Sequence, residues 1–148
     1  MRYKTINELN HFRFSNAYIA EVRLSPGSFT LLLDNVIILP ENSKNRDIRE
    51  MRTNGLLFTV SDPELLDFTE EGYRLYDADG NLKHQEPDRC LAPEEYAKGF
   101  QTLSGCTIYS VEKNKDSYHI SIDTEDHTFF LRVLGTGDME EWERFLNV

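Results

Sequence analysis

The sequence predicts an α+β domain over residues 1–148: a strand-rich antiparallel sheet, curved or closed into a partly open barrel, with about eight strands and two main helices. Three observations carry this. The last third holds three runs of alternating apolar and polar residues, joined by connections too short for anything but antiparallel pairing. Two more strand-like runs, Tyr18–Leu24 and Phe29–Pro40, flank the turn Ser25-Pro26-Gly27-Ser28. Helix-start signals near Ala92 and Gly135 interrupt the strands, without the regular alternation of a parallel β-α-β sheet.

In chain order, Thr5 to Asn10 reads as a short helical turn, with Thr5 and Glu8 at capping-box spacing. Tyr18, Ala20, Val22 and Leu24 then share one face of a half-buried strand, opposite Glu21 and Arg23. Phe29–Pro40 is more continuously apolar, as in a strand covered at least in part on both faces, and Asp34-Asn35 marks a bulge or bend. Glu41 to Gly55 is polar, aperiodic and long for a connection. Leu56–Val60 resumes strand character. "SDPELLDFTEEG" reads as a short helix, with Asp62 as cap, Pro63 in the first turn and Gly72 at the end.

"YRLYD" and "NLKHQ" flank Asp79-Gly80, a strong hairpin dipeptide. "APEEYAKGFQTL" is a helix with Tyr96, Phe100 and Leu103 on one face, weakened at Gly99 by about 1 kcal/mol relative to Ala. "CTIYSVEK", "SYHISID" and "TFFLRVL" form the meander. The closing "GTGDMEEWERFLNV" reads as a helix capped by Asp138, with Glu141 completing a capping box. Its stripe of Met139, Trp142, Phe145 and Leu146 is expected to pack Trp142 on the meander. Strands followed by a Trp-bearing C-terminal helix are also the element order of a pleckstrin-homology barrel, the alternative fold.

The 148 residues carry 26 acidic and 16 basic side chains, for a net charge of −10. Such a surface repels phosphate backbones and anionic lipid, which excludes broad nucleic-acid binding. No apolar run approaches the roughly 18 residues of a membrane span, and the N-terminus lacks a signal-peptide core. A cytoplasmic protein is expected. Cys90 and Cys106 have neither CxxC nor His partners at metal spacing, so two buried reduced thiols are expected.

Asp77, Asp79 and Asn81 imitate the first ligands of a calcium loop. The imitation then fails: Leu82 stands where the loop needs Gly, and Asp88 where it needs Glu. A hairpin turn explains these residues better. His119 and Asp123 share a strand face with His127 beyond the next turn, which sketches a weak metal arrangement. Solvent-facing residues are the plainer account. No nucleophile elbow, P-loop, GxGxxG or HExxH occurs. The sequence therefore nominates no catalytic, metal or cofactor residue.

The most unusual local feature is basic. Lys44, Arg46, Arg49 and Arg52 bring four cations into the long loop, interleaved with Glu41, Asp47 and Glu50. They are the candidate interaction loop, able to receive a phosphate or an acidic segment of a partner. A solvated, self-paired loop is the alternative.

"LDNVIILPENSKNRDI", "EEGYRLYDADGNL" and "EEWERFLNV" together resemble a family of small bacterial proteins, mostly from Gram-positive anaerobes, that are labelled subtilin-biosynthesis sensor proteins. The resemblance runs from "INELNHFRF" to the end of the chain. It implies no catalytic residues. A sensor kinase needs a phosphoacceptor His on a dimerising helix and a Gly-rich ATP-binding domain, and the chain has neither. An accessory role is what the label leaves.

Two functional expectations follow. The first is a non-enzymatic cytoplasmic protein-interaction domain, of immunity-protein type or accessory to a regulatory system. The second is a small-molecule binder or enzyme with a pocket inside the curved sheet, motivated by the aromatic content and the polar break at Asp34-Asn35.

Overall fold

A computed structural model describes all 148 residues. In chain order the elements are β1 (Tyr3–Ile6), a 3-10 turn (Leu9–His11), β2 (Phe12–Arg13), β3 (Tyr18–Ser25), β4 (Ser28–Asp34), β5 (Val36–Ile38), β6 (Met51–Thr53), β7 (Leu56–Ser61) and β8 (Glu64–Glu70). Then come β9 (Tyr73–Tyr76), β10 (Leu82–Glu86) and β11 (Arg89–Cys90). A 3-10 turn (Pro93–Glu95) leads into α1 (Tyr96–Leu103). The chain ends with β12 (Thr107–Asn114), β13 (Ser117–Asp123), β14 (Thr128–Leu134), β15 (Gly137–Trp142) and β16 (Leu146–Asn147).

Ten strands form one antiparallel sheet in the order β1-β15-β7-β4-β3-β12-β13-β14-β8-β11. A smaller sheet has the order β16-β6-β5-β2. Each of its strands adjoins, along the chain, a strand of the large sheet: β15, β7, β4 and β3, in the same order. The two sheets are thus one four-stranded ribbon bent at a corner.

Side-chain chemistry makes that corner. Asn35 and Gly55 take left-handed backbone at φ 61° and 72°, which Asn and Gly tolerate best. The Asp34 carboxylate accepts the Gly55 N–H at 2.8 Å, and the Asn54 amide oxygen accepts the Asn35 N–H at 2.9 Å. The bend read at Asp34-Asn35 is therefore real.

A cluster of 26 buried residues runs through both sheets. Aromatic pairs link its parts: Phe14 to Phe58 at 5.8 Å, Phe58 to Tyr118 at 6.1 Å, and Phe68 to both Phe100 at 5.4 Å and Phe129 at 6.0 Å. α1 buries Phe100 and Leu103 as expected. Its Gly99 is required by packing, because a Cβ there would stand 2.7 Å from Leu91 and 2.9 Å from Phe68.

The structure corrects the two-helix expectation. The 3-10 turn at Pro93 and α1 make one helical segment, and the C-terminal stretch is not helical. Residues 137–142 form β15, which pairs with β1 on one side and β7 on the other. A helix there would strip both neighbours of their backbone partners, so the long-range ladder overrides the local capping signals. Burial follows period two, with Asp138, Glu140 and Trp142 inward. Trp142 packs on Tyr3, Phe12 and Phe145, not on the meander.

The stretch around Leu65 is likewise β8, paired with β14. Asp62 sits in a left-handed turn at φ 49° and caps nothing. The large sheet ends at β1 and β11 without closing, so neither a barrel nor the pleckstrin-homology alternative survives. Residues 3–6 are a strand, and only Leu9–His11 turns helically. On β3 a bulge after Ile19 shifts the face: Ile19 and Val22 are buried, whereas Tyr18 is 54% exposed. No helix is long and apolar enough to cross a membrane.

Candidate interaction surface

β9 and β10 pair only with each other and stand off both sheets as an arm. The hairpin reading of Asp77–Asn81 holds, but its strands do not extend the main sheet. Asp77 makes the turn: its carboxylate accepts the N–H groups of Asp79 and Asn81, both at 2.9 Å, and Gly80 takes φ 83°. The oxygen that suggested calcium is occupied by backbone.

Every residue of the two arm strands is exposed. Among them are Tyr73, Leu75, Tyr76 and Leu82, the last three more than half exposed. Tyr76 stands opposite Leu82, and Leu75 opposite His84, so each face of the arm carries apolar surface. An isolated two-stranded hairpin is marginal in water. Its root, however, is firm. The Gly72 N–H donates to Asp88 at 2.7 Å, β11 returns to pair with β8, and Arg89 reaches Glu95 at 3.0 Å. A Cβ on Gly72 would lie 2.1 Å from the Glu86 carbonyl oxygen, so strand and return pass closer than any side chain allows.

The arm's surroundings are acidic. Glu71, Asp123, Glu125 and Asp126 line a recess beside Tyr73 and His127. Asp77, Asp79, Glu86 and Asp88 belong to the arm and its root, against Arg74 and Lys83.

The four candidate cations do not converge, and only Lys44, Arg46 and Arg49 lie in the loop, because Arg52 is on β6, paired with β5 and β16. Arg49 pairs with Asp47 at 3.3 Å, and Arg52 donates to Asn54 at 3.4 Å. Lys44 and Arg46 are exposed, have no acidic partner, and flank a groove with Tyr3, Met51 and Phe145. The loop is ordered from within. Asn45 is buried and donates to the carbonyls of Ile38, Leu39 and Arg49 at 3.1–3.2 Å. Asn42 is buried and accepts the Lys44 N–H at 2.9 Å, while Glu8 accepts the N–H and hydroxyl of Ser43.

His119, Asp123 and His127 do not form a group. His119 contacts Ser117 at 3.3 Å, Asp123 accepts Thr128 at 3.2 Å, and His127 faces the Tyr73 ring. Both cysteines are free. Neither is the buried thiol expected: Cys90 is exposed and Cys106 is half-buried, and that partial burial pushes the Cys106 thiol up.

Sequence reasoning missed a buried acid pair. Asp138 and Glu140 point inward from β15. Asp138 accepts the Tyr118 hydroxyl at 2.7 Å, with the Lys113 ammonium 3.9 Å away, and Glu140 accepts the Thr5 hydroxyl at 2.8 Å. One oxygen on each acid has no conventional donor. A carboxyl–carboxylate hydrogen bond between them accounts for both. Burial first, and Asp138 second, push the Glu140 carboxyl up to about 9. Burial also drives the Tyr118 phenol above its ordinary range. The period-two pattern Asp138, Glu140, Trp142 was the available signal, hidden by a stronger helical reading.

No family model, no curated protein and no solved structure matches this chain.

Proposed function

We propose that this chain is a non-enzymatic, cytoplasmic protein-interaction domain that docks through the β9–β10 arm onto a basic partner with an apolar surface. The arm carries the reading: a firmly rooted hairpin with apolar side chains on both faces and no core of its own. Exposed apolar surface rimmed by charge is the usual mark of a contact site. The carboxylates around the arm suit a partner of opposite charge, speeding encounter and selecting against acidic proteins. Neutralisation of a basic toxin domain fits this chemistry. An accessory role in a regulatory system, as the sensor-family resemblance implies, is the other form of the same function.

The enzyme or small-molecule reading gains less support. The interior of the curved sheet, where its pocket would sit, is filled by Phe14, Phe29, Phe58, Phe68, Phe100 and Tyr118.

The test is affinity purification from the native host, comparing the parent chain with a Leu75→Ser, Tyr76→Ser, Leu82→Ser variant. A basic protein should be retained by the parent at low salt and lost both at high salt and with the variant. Equal retention by the two chains would rule the arm out.

A further inference from the structure

We infer that the groove between the Lys44–Arg46 segment and the Tyr3–Phe145 pair binds a small aromatic anion, an arene bearing a phosphate or carboxylate. This site is separate from the arm: Tyr3 lies on β1, one edge of the large sheet, and the arm springs from beside β11, the other.

The first argument is the way the cations are held. A polar surface connection needs no buried side chains, yet this one buries Asn42 and Asn45. Their hydrogen bonds, with those of Glu8 to Ser43, fix the backbone on both sides of Lys44 and ahead of Arg46. The two cations are displayed from an ordered frame, so little backbone entropy remains to be lost on binding.

The second argument is charge. In a chain of net charge −10, two cations of this region are paired with acids: Arg13 with Glu50 at 2.7 Å, and Arg49 with Asp47. Lys44 and Arg46 are not. Asp47, the acid that lines the groove, is turned to Arg49, which holds its carboxyl below the ordinary range. Arg2 lies over the Tyr3 ring, its guanidinium carbon 5.5 Å from the centroid, outside the groove lining. Two buried side-chain donors without a partner lie behind the residues that line the groove, not in its lining. They are the Asn42 amide, within the same loop, and the Trp142 indole, packed on Tyr3 and Phe145.

The third argument is shape. Tyr3 and Phe145 meet edge to face at 4.8 Å, and with Met51 they supply apolar wall beside the cations. The groove holds about 290 Å³, near the low end for ligand sites. That is room for one ring and its anionic group, not for a long peptide.

Phenyl phosphate is the probe, followed by backbone amide NMR shifts on the full chain. Saturable shifts are expected at Lys44, Asn45, Arg46 and Tyr3. Affinity should fall about tenfold or more in Lys44→Ala, Arg46→Ala, since two charge-assisted contacts are lost. It should change less than about twofold in Arg52→Ala, whose guanidinium lies outside the groove and serves as the fold control. Inorganic phosphate binding as tightly as phenyl phosphate would overturn the inference, because the ring would then contribute nothing. So would the absence of saturable shifts at millimolar probe. A phosphotyrosyl peptide binding at least about tenfold tighter than phenyl phosphate would also overturn it, because that gain would come from peptide contacts beyond the ring and its anion.

Discussion

The Glu41–Glu50 loop and the β9–β10 arm are opposites. The loop has no strand or helix, yet buries two asparagines and is tied to the body by side-chain hydrogen bonds. The arm is a hydrogen-bonded hairpin with one bulge at Lys83, yet buries none of its strand residues. Regular backbone bonding and anchorage are separate properties. A hairpin pairs the inward half of its N–H and C=O groups between its own strands and leaves the outward half to water, so it needs little from the body. An irregular segment cannot pair itself, and must recruit side chains to do it. Surface that is hydrogen-bonded but buries no side chain is free to be covered by another molecule, whereas surface that is irregular but held by buried side chains keeps its charges in fixed positions.

The largest expected effect is in the loop. Asn45→Ala removes three donated hydrogen bonds and the one it accepts from the Asp47 N–H, and should cost about 2–4 kcal/mol, read from urea unfolding. A cost under about 0.5 kcal/mol would mean that the loop is not anchored as described. Next comes the buried pair, which extends the contrast to polar groups held inside. The folded state keeps a proton on Glu140 up to about pH 9, whereas the unfolded chain releases it near the ordinary carboxyl value of about 4.3. This contribution is therefore complete below the unfolded value and is lost as pH rises toward 9. Stability should decline across that range, and Glu140→Gln should remove the decline. A parent chain with flat stability over the range would contradict the shared proton.

The smallest effects belong to the arm. Leu75→Ser and Tyr76→Ser should each change stability by less than about 0.5 kcal/mol. Asp77→Ala should loosen only the turn, with faster hydrogen exchange at Asp79 and Asn81 and unchanged protection in β13 and β14. Global destabilisation by any of these would show that the arm is part of the fold.

Where local pattern and tertiary partner agree, the sequence was readable. Tyr118, Ile120 and Ile122 alternate because β13 is paired on both sides at short range. α1 shows its apolar face because it lies on the sheet alone. β15 was not readable as a strand. Its partners, β1 and β7, lie far away in sequence, while Asp138 and Glu141 imitate a helix cap locally. The buried acids compounded the error, since two inward carboxylates look like a solvent face until a shared proton is admitted. The cationic loop was legible as a feature, but its division into paired Arg49 and unpaired Lys44 and Arg46 depends on which acids the fold brings near. The arm's turn was legible down to Gly80. Its detachment was not, because the pattern of a hairpin is the same whether or not a third strand lies beside it.

The close crossing at Gly72 has a bearing on descent. Beneath it β8 and β11 are already joined, so residues 73–86 are enclosed by a completed structure. Mutation in that interval is screened by what the arm touches and hardly by folding. Arms of different length and lettering can be exchanged between related chains at this one point, with the glycine kept as the splice. Variation among relatives should then concentrate above the crossing, and the body would inherit a changing specificity without being rebuilt.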